Sequence, residues 1–382
     1  MDSFSFYNPT RLDFGPGKEG QIGQHLAEHG ARKVLLVYGS ERIRRDGLFD
    51  TVTRSLAERG IEWVAFGGIV SNPLLSKVRE GVAQARTHAV DAVLAVGGGS
   101  VLDSAKAIAA GARHDGEVWD LFIGKAPVSS ALPIFAVLTL AATGSEMNPG
   151  AVVTNEATKE KFALQSVHTF PKVSVVNPAL MRSVSRDYLV YSAADIIAHS
   201  IEGYFTATVQ PTIQSRLVES VIATVMETTE ALLADPANDA ARGEFAWAAT
   251  LALNGVTYAG TSGFGYPNHM IEHSLSALFN VPHGAGLSVV MPAWMTWYLH
   301  RNPAQFERFA KQLFGQQTGE EGIAALEAWF NRIGTPTRLS QLGITAADLP
   351  AILENLKGNA QWFGLSETYR PGVLREILTL AL

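Results

Sequence analysis

Asp91-Ala92-Val93-Leu94-Ala95-Val96-Gly97-Gly98-Gly99-Ser100-Val101-Leu102-Asp103 reads as a buried strand, a glycine turn and the opening of a helix. A short continuous apolar run closed by glycines is the pattern of a strand covered on both faces. Working outward, Lys33-Val34-Leu35-Leu36-Val37-Tyr38 ends at Gly39-Ser40, and Trp63-Val64-Ala65-Phe66 ends at Gly67-Gly68. Further strands are predicted at 133–140 and 173–176. Amphipathic windows at 48–59 and 75–88 fall between the strands. Strands that alternate with helices at this spacing predict a parallel sheet with helical crossovers.

Beyond residue 182 the period changes. Apolar residues recur at helical spacing over 185–206, 212–233, 239–258, 269–278, 303–314, 320–333 and 371–382, and strand-like alternation nearly vanishes. The fold class expected is therefore α/β followed by all-α, with a break near Asn177-Pro178. This gives an α/β domain at 1–182 and an all-helical domain at 183–382. The 382 residues suit two cores better than one.

Composition narrows the function. A net charge of -6 offers no general attraction to nucleic acid or to an anionic membrane surface. No apolar run reaches membrane-spanning length, and Met1-Asp2-Ser3-Phe4-Ser5-Phe6 lacks the basic and apolar regions of a secretory signal, so a cytoplasmic protein is expected. There are no cysteines, which excludes disulfides and thiolate metal sites. Any bound metal must be held by nitrogen and oxygen.

Three features carry chemistry. Gly97-Gly98-Gly99-Ser100 lies between a strand and a helix, where exposed amides and the helix dipole favour a phosphate. The same turn has a plain reading, because Ser100 and Asp103 have the spacing of a capping box. The G-x-G-x-x-G fingerprint is absent, which rules out an ordinary Rossmann assignment. Thr139-Leu140-Ala141-Ala142-Thr143-Gly144-Ser145-Glu146 is a second polar loop at a strand's carboxyl end, readable as ligand contacts or as helix caps. Lastly, Asp195 and His199 are four apart on a predicted helix, as are His269 and His273, and His283 follows near Pro282, where that second helix should have ended. Residues four apart share a helix face, and imidazole with carboxylate is a usual set for zinc or iron(II). Taken singly, each is more often an ordinary helix-face residue. His25, His29, His88, His114 and His300 have no such neighbours and read as solvent-facing or incidental.

Together these segments resemble the iron-containing (group III) alcohol dehydrogenase family, most closely its branch of NADPH-dependent aldehyde reductases and butanol dehydrogenases. The likeness runs from Asn8-Pro9-Thr10-Arg11 and Phe14-Gly15 through Gly97 to Asp103 and Leu138 to Glu146, then on to Asp195-x-x-x-His199, His269-x-x-x-His273 and His283-Gly284. It implies a dinucleotide-binding α/β domain of dehydroquinate-synthase type, followed by a helical metal domain. Its metal ligands fall on Asp195, His199, His269 and His283, and its nicotinamide-side histidine, the candidate for proton exchange or for shaping the pocket, falls on His273. Its phosphate cradle falls on Gly97, Gly98, Gly99 and Ser100, continued by Asp103, and further nucleotide contacts on Asn72, Thr139, Thr143 and Lys161.

NAD-preferring members carry an aspartate after the first strand. Here Gly39 and Ser40 stand there, with Arg42, Arg44 and Arg45 behind them, an arrangement that favours NADP(H) over NAD(H) although Glu41 opposes it. The implied reaction is hydride transfer between NADP(H) and a small aldehyde or primary alcohol, with a divalent metal, Fe(II) or Zn(II) (alternatively Mn or Ni), as Lewis acid. A homodimer is implied as well. Glycerol dehydrogenase-like oxidoreductases of the same superfamily compete with this reading, but the complete ligand set favours the alcohol dehydrogenase branch. A non-catalytic nucleotide- or metal-binding regulator would need a broken site, and no expected ligand is missing. Phe264, Tyr266, Trp294 and Trp362 are candidates for an apolar substrate pocket, although aromatics in a helical domain are mostly core.

Overall fold

The computed structural model describes Met1–Leu382 as two compact units. One comprises Tyr7–Thr158 and Phe162–Ser183; the other comprises Met1–Phe6, Lys159–Lys161 and Val184–Leu382.

The first unit is built on β1 (Arg11–Phe14), β2 (Lys33–Tyr38), β3 (Glu62–Phe66), β4 (Ala92–Gly97), β5 (Ile134–Leu138) and β8 (Val173–Val176). A separate hairpin is formed by β6 (Gly150–Asn155) and β7 (Glu160–Gln165), whose first two residues group with the second unit. Helices α1 (Ile22–Glu28), α2 (Arg42–Arg45), α3 (Leu48–Ala57), α4 (Leu75–Thr87) and α5 (Gly99–Ala112) connect the strands. The six strands are all parallel in the order β1-β8-β5-β4-β2-β3, as the strand–helix alternation predicts. On one face Val34, Leu36, Leu94, Val96, Phe135, Val137 and Val175 pack with Ile22, Leu26, Val52 and Leu56 of α1 and α3. The alternate residues Leu35, Val37, Val93, Ala95, Ile134 and Ala136 are equally buried, with α5 packed along β4. Burial on both faces is why these strands read as unbroken apolar runs.

Two pieces of this unit escaped the sequence reading. β1 alternates charged and apolar residues (Arg11, Leu12, Asp13, Phe14) over only four positions, so no run announces it; its register comes from pairing Arg11 to Phe14 with Val173 to Val176. The β6–β7 hairpin is similarly mixed in character. His25 also differs from expectation. It is buried rather than solvent-facing, with Nε2 2.9 Å from Asp13 Oδ2.

The second unit is all helical: α6 (Arg186–Thr206), α7 (Thr212–Ala234), α8 (Asp239–Leu253), α9 (Pro267–Phe279), α10 (His283–Tyr298), α11 (Pro303–Phe309), α12 (Gly319–Ile333), α13 (Leu349–Trp362) and α14 (Pro371–Leu380). α10 and α13 were not predicted. From Gly284 to Met295 α10 is buried all round, so it shows no amphipathic stripe, and Pro292 inside it imitates a helix break. Phe205 of α6 stacks on Phe306 of α11 with centroids 4.0 Å apart, and Trp294 of α10 is fully buried beside them. Its Nε1 donates to the Tyr369 hydroxyl at 2.9 Å, so Trp294 is a core residue and not a pocket wall.

One close approach sets the spacing of α1 against α3. A Cβ built on Gly23 would lie 1.9 Å from the Ser55 carbonyl oxygen, and Gly23 N donates to Ser55 Oγ at 3.0 Å. A backbone carbonyl cannot retreat as a side-chain tip can. Gly23→Ala is therefore expected to destabilise the protein by about 1–3 kcal/mol in denaturant unfolding, the usual cost of overpacking a tight contact. Unchanged stability would mean that α1 can move away from α3 at no cost.

Candidate metal centre and glycine loop

The amino-terminal turn of α6 is capped by Ser185, whose Oγ accepts from Tyr188 N. Farther along, Asp195 and His199 project from one face of the helix, both buried. α9 opens with Pro267 at its first position and carries His269 and His273. α10 then starts at His283 itself, after Pro282. The sequence reading left His283 beyond a helix; the structure makes it the first residue of the next one. Gly284 permits this, since a Cβ there would lie 2.0 Å from the Tyr191 carbonyl oxygen of α6.

The three helix segments bring four donors to one point. Asp195 Oδ1 lies 3.6 Å from His199 Nε2, 3.8 Å from His269 Nε2 and 3.6 Å from His283 Nε2. Tetrahedral coordination with bonds of 2.0–2.1 Å requires ligand atoms about 3.4 Å apart, so the array fits one ion after a small contraction. Asp195 Oδ1 and His269 Nε2 are buried with no hydrogen-bond partner, a costly arrangement unless something else binds them. Three imidazoles and one carboxylate suit iron(II), zinc, manganese or nickel.

Two carboxylates that the sequence reading missed stand behind the donors. Glu202, on α6, accepts from His269 Nδ1 at 2.9 Å and from His269 N at 3.0 Å. Glu272, on α9, is bonded to His283 Nδ1 through Oε2 and to Ser276 Oγ through Oε1. Both are completely buried. The signal was present, because Glu202 follows His199 by three positions and Glu272 follows His269 by three, each on a ligand-bearing face. Glutamate is too common on helices for that spacing to stand out. Lys161, expected at the nucleotide, instead places Nζ 3.5 Å from Glu272 Oε2 and 3.3 Å from His283 Nδ1.

Burial alone would raise the Asp195 pKa, but the imidazoles of His199, His269 and His283 outweigh it and hold the carboxyl well below its usual range. Burial pushes His199 down to about 3, which keeps its imidazole neutral and able to donate a lone pair. His269 is also opposed by burial, but the carboxylates of Asp195 and Glu202 carry it up to about 9. Its proton thus partly balances the buried negative charge, a task that a metal ion would take over. Burial raises and His283 and Lys161 lower the Glu272 carboxyl, with a net fall to about 2. His273 Nδ1 lies 2.9 Å from the Lys161 carbonyl oxygen and burial holds its pKa well below the ordinary value. Among the candidate pocket aromatics, Tyr266 lies 5.9 Å from the His269 ring, and Phe264 stacks on Tyr258, whose hydroxyl donates to the His199 carbonyl. Trp362 packs on Phe363, which in turn meets the edge of His273.

In the α/β unit, the loop after β4 and the loop after β5 meet. Thr139 N donates to the Gly97 carbonyl at 2.9 Å, and a Cβ on Gly99 would fall 2.5 Å from the Thr143 side chain. Gly39, after β2, faces Val101 in the first turn of α5. Gly39, Gly97, Gly98, Gly99, Ser100, Thr139 and Thr143 thus gather at the carboxyl ends of three parallel strands, where open α/β sheets take ligands. Asn72 is buried in a left-handed turn (φ 52°) before Pro73. The capping box does not form, since Gly98 is the cap of α5 and Ser100 lies inside the helix. Asp103 instead accepts from Ser145 Oγ at 2.7 Å and from Val152 N at 3.0 Å, which makes it a support of the second loop. Lys106 completes that support. It is fully buried, its Nζ donates to Ser145 Oγ, the Asn148 carbonyl and the Gly150 carbonyl, and burial lowers its pKa to about 8.

Comparison with known proteins agrees with this division. The family described as iron-containing alcohol dehydrogenase matches residues 9–178, and its carboxyl-terminal part matches residues 189–367. The chain is 39% identical over 367 residues to probable NADH-dependent butanol dehydrogenase 1 of Bacillus subtilis, covering 94% of each. It is 34% identical to the NADPH-dependent aldehyde reductase YqhD of Escherichia coli, covering 94% of this chain and 93% of that one. Among solved structures, NADH-dependent butanol dehydrogenase A of Thermotoga maritima superposes with a TM-score of 0.97 at 44% identity, over 100% of this chain and 99% of that chain. The chain belongs to the iron-containing alcohol dehydrogenase family and is an NAD(P)-dependent alcohol and aldehyde oxidoreductase.

Proposed function

We propose that Asp195, His199, His269 and His283 hold one divalent metal ion, and that the protein reduces small aldehydes to primary alcohols reversibly, with NADP(H) preferred. The observation that carries this is the convergence of three Nε2 atoms on Asp195 Oδ1, two of the four donors being buried without a partner. When bound, the ion supplies Lewis acidity at the substrate oxygen and the nicotinamide carries the hydride.

The chain's own residues do the rest. Asp195 contributes the single anionic ligand, so that the neutral imidazoles leave most of the cation's charge for the substrate. Backbone amides of Gly97 to Ser100, at the start of α5, receive the phosphates. Asn72, Thr139 and Thr143 complete that cradle, with Asp103 and Lys106 behind it. His273 presents Nδ1 to the Lys161 carbonyl, leaving Nε2 as the nitrogen through which a proton can be exchanged. Tyr266 and Phe264 give the metal-side pocket an apolar wall that discriminates weakly by chain length, because one methylene is worth only about 1–3 kcal/mol. The preference for NADP(H) rests on Gly39, which offers no carboxylate to repel a 2′-phosphate. Glu41 is engaged by Arg44 Nε at 2.8 Å, while Arg42 and Arg45 add positive charge. The names of relatives divide between NADH and NADPH, so the preference is argued from these residues. The active form is taken to be a cytoplasmic homodimer.

Two measurements test this reading. The purified protein should contain one equivalent of divalent metal by mass spectrometry and oxidise NADPH with aldehydes from acetaldehyde to octanal. Absence of turnover with every aldehyde despite full metal loading would refute it, and so would a His269→Ala protein that keeps both its metal and its activity. For the cofactor, Gly39→Asp should move the kcat/KM ratio toward NADH by tenfold or more. A Cβ at residue 39 meets the Ile69 carbonyl at 3.2 Å, so Gly39→Ala serves as the steric control and should leave the ratio unchanged. Equal shifts in both variants would show that crowding, not charge, was responsible.

A further inference from the structure

We propose that Glu202 and Glu272 are positioning residues that set metal affinity, by locking His269 and His283 in the tautomer with hydrogen on Nδ1 and a lone pair on Nε2. This rests on the metal reading above and adds to it two residues that touch neither substrate nor ion.

The arrangement has a regular logic along the chain. α6 carries the ligands Asp195 and His199, and one face-mate farther on, Glu202, which reaches across to His269 of α9. α9 carries the ligand His269 and, three positions later, Glu272, which reaches across to His283 of α10. α6 and α9 therefore each supply a ligand to the ion and orient the ligand of the following helix, and α10 supplies the last ligand alone. A carboxylate can only accept, so the imidazole nitrogen facing it must be the one bearing hydrogen. In both cases that nitrogen is Nδ1, and Nε2 is the atom turned toward Asp195 Oδ1.

Room for Glu272 is built in. A Cβ on Gly286 would lie 2.8 Å from Glu272 Cγ, so glycine at that point of α10 is what admits the carboxylate. Lys161 Nζ lies 3.5 Å from Glu272 Oε2 and 3.3 Å from His283 Nδ1, and of the two groups that face this imidazole nitrogen the carboxylate is much the closer. Glu202 is fixed from its other side by Asn268, whose Nδ2 donates to Oε2 at 3.2 Å. His199 is the internal contrast, because its Nδ1 is buried with no partner.

Charge gives an independent reason. Asp195, Glu202 and Glu272 place three carboxyl groups in one buried cluster with the Lys161 ammonium beside it, and a divalent cation would be drawn to that cluster. The outer carboxylates therefore raise affinity through charge as well as through ring orientation.

The test uses the full-length protein and zinc. Glu202→Gln and Glu272→Gln preserve volume but remove the charge and permit the opposite tautomer. Each is expected to bind one zinc ion with 10- to 100-fold weaker affinity in chelator competition, the range seen when such partners are removed. The cobalt(II)-substituted variants should show altered d–d absorption, a change that loss of packing alone would not produce in a folded, fully loaded protein. Glu272→Asp, which keeps the charge but loses reach, should fall between wild type and Glu272→Gln. Unchanged zinc affinity in both Gln variants overturns the proposal. Should a variant fail to fold, zinc-loaded wild type labelled with 15N-histidine decides the matter: His269 and His283 must each show a protonated Nδ1 and a metal-bound Nε2, and metal on Nδ1 of either overturns it. Asp195→Asn keeps the two readings apart. If that ligand variant binds zinc as wild type does, the four-ligand centre itself is wrong; if it loses zinc while the Gln variants do not, only the role of the glutamates fails.

Discussion

Burying negative charge is the constraint around which the helical unit is organised. An isolated carboxylate in a protein interior is costly enough that it ordinarily takes up a proton instead. Here Asp195, Glu202 and Glu272 are all buried, and every one faces imidazole. α6, α9 and α10 have to meet closely for this to work, which explains two glycines, Gly284 and Gly286, at the start of a helix where alanine would otherwise serve. Pro282 and Pro267 fix where α10 and α9 begin, so the places of His283 and His269 on those helices are set by punctuation of the chain.

The α/β unit handles charge by another route. Its glycine loop offers backbone amides and a helix amino terminus, with no acidic residue in the first turn of α5 to compete for them. Beneath the loop lies the buried ammonium of Lys106. Asp103, Ser145 and Lys106 form a short polar chain that ties the loop after β5 to the middle of α5. The donors gathered in the helical unit are thus side chains, whereas the polar groups the loop offers are main chain.

Much of this was legible in the amino-acid sequence, and the failures have physical causes. Central strands covered on both faces announce themselves as apolar runs, whereas β1 does not, because its identity depends on a partner far along the chain. α10, buried all round, has no stripe to read, and α13 was missed although Leu349, Ile352, Leu353 and Leu356 line one of its faces. Asp195, His199, His269 and His283 could be named as candidate ligands because the i, i+4 spacings drew the eye to the two helices and the resemblance singled out these four. Glu202 and Glu272 could not, since an outer carboxylate is recognised only by what it bonds to across a helix contact. Ser100 and Asp103 show the converse error: correct spacing for a capping box, but a start of α5 two residues too early for it to form. Lys161, expected among the nucleotide contacts by resemblance, has its ammonium 3.5 Å from Glu272, a neighbour that no spacing in the sequence announces.

The place of β8 in the sheet has a consequence for biosynthesis. β8 is the last strand of its sheet in the chain, yet it lies between β1 and β5, and Thr10 Oγ1 bonds to the Pro171 carbonyl across 161 positions. As the polypeptide leaves the ribosome, β2, β3, β4 and β5 can associate while the slot beside β5 stands open and β1 has nothing to pair with. Until Val176 emerges, the nascent chain carries an unpaired, apolar strand edge, the kind of surface that invites association with other unfinished chains. Closure of that edge is a long-range event, slow by topology. The open edge is therefore a feature of the chain during translation, before its helical unit has been made.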